Sequence, residues 1–178
     1  MLIPRLPVPD LDVPSLGGGR FRLSAEAPER FSLVCFYRGY HCPICLTYLK
    51  ELDRLTPEFA KRGVTTIAVS SDTAERARMM ADKVGAEHLR FAYDLPLGLT
   101  RDWGLSLSTS RGTSTNGVEE PAIFSEPGLF LIRPDMTLYY GSVQTMPFVR
   151  PPFKEMVAAV DFVVSRDYPA RGEYTGPV

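Results

Sequence analysis

Cys42-Pro43-Ile44-Cys45 is the feature that most narrows what this chain can become. Its two thiols stand between a run of β-formers, Phe31 to Tyr37, and a stretch with helical spacing. In that stretch Cys45, Leu49, Leu52, Leu55 and Phe59 recur at spacings of four, three, three and four, which draws one apolar stripe along a helix. A strand feeding a helix whose first turn carries a dithiol brings two sulfurs close enough to close a small disulfide ring and reopen it. Redox chemistry is therefore the leading reading.

If the helix starts at Pro43, Cys42 is its N-cap and Pro43 fills the first helical position, which proline favours. A thiolate at Cys42 then meets the free amide hydrogens of the first turn and the positive end of the helix dipole. Such surroundings draw a thiol pKa from about 8.5 towards about 7 or below. Cys45, one turn further on, faces the core. The expectation is Cys42 as nucleophile and Cys45 as resolving thiol.

The 178 residues are read as one domain, 1–178, with no internal repeat and length enough for a sizeable core. A formal net charge of -1 gives no pull towards nucleic acid or an anionic membrane. No apolar run approaches the roughly 18 residues of a membrane span. Prolines at 4, 7 and 9 interrupt the first residues, which lack a signal-peptide core. A cytoplasmic location is expected, and there a Cys-x-x-Cys pair is catalytic or metal-binding more often than structural.

Around the dithiol, Leu11-Asp12-Val13 and Arg20-Phe21-Arg22-Leu23 flank Gly17-Gly18-Gly19 and predict a β-hairpin over the edge of the main fold. Phe31–Tyr37, Val64–Ser70 and Gly128–Ile132 read as buried strands. Leu89–Tyr93 predicts a short strand, and the turn at Arg133-Pro134-Asp135 makes a hairpin with Met136–Tyr140. Pro57 should kink the first helix or restart it with Thr56 as cap. Asp72 or Thr73 caps a second helix closed by Gly85. Leu97–Trp103 predicts a short helix, and 105–127 an irregular polar loop. Phe153, Val157, Val160 and Val164 mark a closing helix. The order argues for an α/β protein with a central mixed sheet flanked by helices.

Strand, Cys-x-x-Cys, helix, strand, helix, hairpin, helix resembles the thioredoxin-like fold. More narrowly, the chain resembles the alkyl hydroperoxide reductase and thiol-specific antioxidant (peroxiredoxin-like) family from about Leu11 to Ser165. Three passages carry the likeness: Phe36-Tyr37-Arg38-Gly39 leading to the cysteines, Val69-Ser70-Ser71-Asp72, and Gly128–Ile132 with Pro134-Asp135. The resemblance implies a thiol oxidoreductase that reduces a small hydroperoxide or a protein disulfide and is recycled by a cellular thiol reductant. It implies no metal or organic cofactor, and a homodimer. Peroxiredoxins carry Pro-x-x-x-Thr/Ser-x-x-Cys; aligned on Cys45, this chain has Arg38 and Cys42 at the proline and hydroxyl positions. That alignment makes Cys45 the attacker, the second-ranked order. Pro127 stands where peroxiredoxins keep an arginine, and where thioredoxins carry a cis-proline facing the dithiol. A cis Glu126-Pro127 bond is the expectation that follows.

Arg38, Tyr40 and His41 precede the dithiol. Arg38 would favour a thiolate by its charge, while Tyr40 or His41 would donate a proton or line a groove. Each reads equally well as part of a solvated loop. Arg111, in the polar loop, is a candidate substitute for the absent arginine. Two further readings remain: a thioredoxin-type disulfide reductase without peroxidase activity, and a non-catalytic redox sensor or zinc half-site. Zinc would need two ligands beyond the dithiol, with only His41 and Cys35 near in sequence. Haem attachment is excluded because Leu46 follows Cys45. Cys35 reads as a small buried hydrophobe, His88 as a surface residue and Trp103 as packing.

Overall fold

A computed structural model describes residues 2–178 of the chain. The hairpin strands β1 (Asp12–Pro14) and β2 (Arg20–Arg22) pair antiparallel across Gly17, Gly18 and Gly19, all at positive φ. Next come β3 (Phe31–Phe36), α1 (Pro43–Ala60), β4 (Val64–Val69), α2 (Ala74–Val84), β5 (Arg90–Ala92) and α3 (Leu97–Asp102). After them follow β6 (Leu107–Thr109), β7 (Ile123–Ser125), β8 (Gly128–Ile132), β9 (Leu138–Val143) and α4 (Phe153–Arg166).

Five strands form a mixed sheet in the order β5-β4-β3-β8-β9. β3, β4 and β5 run parallel, while β8 is antiparallel to both β3 and β9. Every residue of β3 is buried, as a central strand covered on both faces requires. Its side chains divide by parity. Phe31, Leu33 and Cys35 enter a core shared with α1, α2 and α4, whereas Val34 and Phe36 enter a second core. That second core holds Trp103, Leu105 and the hairpin residues Val13 and Phe21. The hairpin also hydrogen-bonds the sheet edge, with Leu16 N–H donating to Phe91 O (2.8 Å) and Tyr93 N–H to Pro14 O (3.0 Å). The mixed α/β sheet with an N-terminal hairpin matches the sequence expectation.

Four details differ. The first helix does not restart at Thr56: it runs from Pro43 to Ala60 with Pro57 inside it, and Thr56 Oγ1 donates to Leu52 O (2.9 Å). Pro57 lies in the last turn, where its missing N–H forfeits a single intrahelical bond. On α4, Phe153 and Val160 are buried and Val157 packs against the core as expected, but Val164 is 40% exposed, and Met156 and Val163 pack against the core instead. The stretch 105–127 is not irregular, because β6 and β7 pair antiparallel and extend into a Thr113↔Glu119 bridge. Its turn is held by Ser114 N–H donating to Val118 O (2.9 Å). Finally, no cis peptide occurs among the described residues, so Glu126-Pro127 is trans. Pro127 is buried ahead of β8, and its carbonyl accepts from Gln144 N–H (3.0 Å) rather than opening a thioredoxin-type turn. Among the described residues, no helix is long and apolar enough to cross a membrane.

Candidate active site

β3 and α1 are joined by Tyr37–Cys42, and this connection is fixed from outside itself. Tyr37 N–H donates to Val69 O (3.0 Å), which prolongs β3 alongside β4. The chain then turns at Gly39 (φ +138°), where a Cβ would lie 2.8 Å from Asp72 Oδ2. Only glycine suits that close approach. Asp72, beyond the end of β4 and 3% exposed, accepts Tyr40 N–H at 2.6 Å and faces Arg76 Nε at 3.6 Å. Burial pushes its carboxyl upward, opposed by the Tyr40 amide and Arg76.

The helix begins at Pro43, with Cys42 as N-cap. Cys42 Sγ accepts Cys45 N–H at 3.3 Å, so the sulfur occupies the place that a capping oxygen usually takes. All three cysteines are unpaired thiols and buried. The Cys45 thiol donates to Cys42, and this bond is the main force lowering the Cys42 pKa, to about 6. Burial opposes it, while the Cys45 amide, Arg150 and Arg38 assist. Cys45 moves the other way, well above a thiol's ordinary value, chiefly by burial and then by the bond it donates. One sulfur is poised as thiolate and its neighbour keeps the proton. Cys35 is pushed up to about 12 by burial, as an inert core thiol.

Arg150, which the sequence reading passed over, reaches both sulfurs. Its Nη2 lies 3.2 Å from Cys45 Sγ and 3.7 Å from Cys42 Sγ. Arg150 Nε donates to Pro147 O (2.8 Å), and the guanidinium stacks over the Tyr48 ring, 5.1 Å from its centroid. Tyr48 is held in turn by donating to Pro151 O (2.6 Å) and by stacking on Phe153. Arg150 Nη1 is buried with no protein partner.

The other sequence-chosen residues divide. Pro43 takes the first helical position as expected. Arg38 does not touch the sulfurs: it lies between Glu126 (3.3 Å) and Glu120 (3.9 Å), over the Phe124 ring, and lowers the Cys42 pKa only through its charge. Tyr40 is buried beneath Lys83 rather than in the groove. His41 is fully buried against Phe124, with ring centroids 4.6 Å apart, and neither ring nitrogen has a protein partner. Burial, then the charge of Arg38, lowers its pKa to about 4, so the ring is neutral near pH 7.

Outside Cys42 lies a pocket of about 940 Å³. His41, Cys42 and Pro43 line one side, Arg111 and the β6–β7 hairpin another, and Pro147 and Phe148 a third. Asn116 Nδ2 donates to Tyr40 O (3.3 Å) and Arg76 Nη2 to Glu119 O (2.7 Å), which tie the hairpin to the dithiol loop and to α2. Arg111 thus reaches the pocket, without contacting a sulfur. Among the described residues, no three His, Cys, Asp or Glu side chains converge to hold a metal.

Residues 4–141 match the model of the AhpC/TSA family. Over 68 residues the chain is 31% identical to a probable 1-Cys peroxiredoxin of Syntrichia ruralis, a match covering 38% of this chain and 31% of that relative's length. Among solved structures it is similar to the peroxidoxin BcpB of Mycobacterium tuberculosis, with a TM-score of 0.70 and 18% identity over 92% of this chain and 99% of that one. It is also similar to the reduced 2-Cys peroxiredoxin of Plasmodium vivax, with a TM-score of 0.74 and 14% identity over 94% and 84%. At these identities the structural likeness speaks for the fold.

Proposed function

Since this chain belongs to the AhpC/TSA family, we propose that it is a thiol-dependent peroxidase working through a Cys42–Cys45 dithiol–disulfide cycle. The Cys42 thiolate attacks a hydroperoxide oxygen; an S–O bond forms, the O–O bond breaks, and the departing alkoxide or hydroxide takes a proton. The product is a sulfenic acid on Cys42. Cys45, which has kept its proton, then attacks the Cys42 sulfur. The S–S bond forms and hydroxide leaves with the Cys45 proton as water. Two equivalents of an external thiol restore the dithiol, in a reducing compartment such as the cytoplasm.

What supports this order of attack is the pairing of opposite shifts on the two sulfurs, with Arg150 spanning both. Cys42 faces the pocket and Cys45 does not. Arg150 stabilises negative charge on either sulfur. Arg150 and Arg38 supply cationic charge where Pro127 stands in place of the family's arginine.

A thioredoxin-type protein-disulfide reductase is the second reading, favoured by a nucleophilic cysteine at a helix N-cap. The trans Glu126-Pro127 bond removes its other support. Peroxide consumption and insulin reduction, measured on one sample, separate the two. Peroxide turnover with slow insulin reduction is expected, and the reverse contradicts the peroxidase reading.

A further inference from the structure

The pocket beside Cys42 is much larger than two peroxide oxygens need. Its volume of about 940 Å³ lies in the range of sites that enclose whole small organic molecules. Its access is one-sided: Cys42 is part of the lining, while Cys45 sits behind it, fully buried and 3.2 Å from Arg150. Once the disulfide has formed, a nucleophile arriving through the pocket meets the Cys42 sulfur. Cys45 is then the leaving sulfur, beside a guanidinium that accepts its charge. Access sets that direction of exchange, and the Arg150 guanidinium offsets part of the burial that makes Cys45 the poorer leaving group.

The lining describes what should arrive. Glu120 and Glu126 are already occupied: Arg38 faces both, Arg111 N–H donates to Glu120 (2.8 Å), and Ser108 Oγ donates to Glu126 (2.6 Å). The Arg111 guanidinium has no ion-pair partner among the described residues and stands in the pocket wall. Thr109, Thr113 and Thr115 add hydroxyls beside it. A free cation and a row of hydroxyls suit a hydrogen-bonding anion better than an acyl chain.

We propose that this pocket binds a carboxylate-bearing, peptide-like thiol of low molecular weight, and that this thiol is the reductant that reopens the Cys42–Cys45 disulfide. The carboxylate pairs with Arg111, and the amide groups meet the threonine hydroxyls. The inference rests on the dithiol cycle proposed above. A first thiolate attacks Cys42 Sγ, forming a mixed disulfide and expelling the Cys45 thiolate, which takes a proton. A second thiolate attacks the small molecule's sulfur, releasing its disulfide and the Cys42 thiolate. Two small thiols are oxidised and one protein disulfide is reduced.

The test starts from full-length protein oxidised to the disulfide with diamide, so that it does not depend on peroxide. Its reduction is followed by alkylation and mass spectrometry, with γ-glutamylcysteinylglycine or the diethyl ester of the same tripeptide as reductant, at equal thiolate concentration. Saturable reduction is expected, with the free acid faster by about fivefold, as an exposed ion pair allows. Arg111→Ala should bring that ratio to about one, and Arg111→Glu should invert it. A ratio near one in the unaltered protein, or one that survives Arg111→Ala, overturns the inference. If hydrogen peroxide fails to make the disulfide while the acid preference persists, the peroxidase reading falls and the pocket assignment stands.

Discussion

Arg150 and Cys45 meet at 3.2 Å although 105 residues separate them in the chain. The same guanidinium nitrogen lies 3.7 Å from Cys42 Sγ, so one cation serves both sulfurs of the cycle. Hydrogen bonds to charged groups contribute about 1.5–3 kcal/mol, and each 1.4 kcal/mol is about a factor of ten. Arg150→Ala should therefore slow the reaction of Cys42 with hydrogen peroxide by about tenfold to a hundredfold in stopped-flow measurements. Arg150→Lys keeps the charge but loses the fork and should recover part of the rate. A rate within twofold of the unaltered protein would remove Arg150 from the mechanism.

Asp72 fixes the loop before the dithiol by accepting Tyr40 N–H. Asp72→Ala leaves that amide unpaired in a buried place and should cost about 1–3 kcal/mol of stability in urea denaturation. Because burial raises the Asp72 pKa, its charge opposes folding at neutral pH. Asp72→Asn, which keeps an acceptor without the charge, should cost less. Equal losses in the two variants would contradict this account of the loop.

The Cys42 thiolate should be visible as a pH profile. Its pKa falls to about 6, so the rate of Cys42 alkylation by iodoacetamide should rise with a midpoint near pH 6. The strongest cause is the bond from the Cys45 thiol, so Cys45→Ala should move that midpoint upward. The sign for stability follows. A thiol with a depressed folded-state pKa stabilises the reduced protein fully above its unfolded pKa, and the gain is lost as pH falls through about 6. A midpoint near 8.5, an ordinary thiol's value, would refute the N-cap thiolate.

Much of this was legible locally. The β3 run, the α1 stripe and the Cys42-Pro43 start are written in periodicity and capping, and they formed as read. Thr73 and Gly85 bound α2 for the same reason. Arg150 was not legible: it follows the Met146–Val149 turn, and its meeting with the sulfurs is made by tertiary packing on Tyr48 and Pro147. The β6–β7 hairpin hid behind polar residues, because Phe124 is the buried anchor of a strand otherwise written in small polar and surface residues. Pro127 misled for a different reason. A proline ahead of a buried strand is compatible with a trans bond when only its carbonyl is needed, and here that carbonyl accepts from Gln144.

The order of the two thiols is the central claim, and trapping the first oxidised sulfur tests it most directly. Cys45→Ser and Cys42→Ser are each treated with one equivalent of hydrogen peroxide and dimedone, then mapped by mass spectrometry. The account predicts a dimedone adduct on Cys42 in Cys45→Ser, and none on Cys45 in Cys42→Ser. An adduct on Cys45 in Cys42→Ser, with Cys42 unmodified in Cys45→Ser, would contradict it.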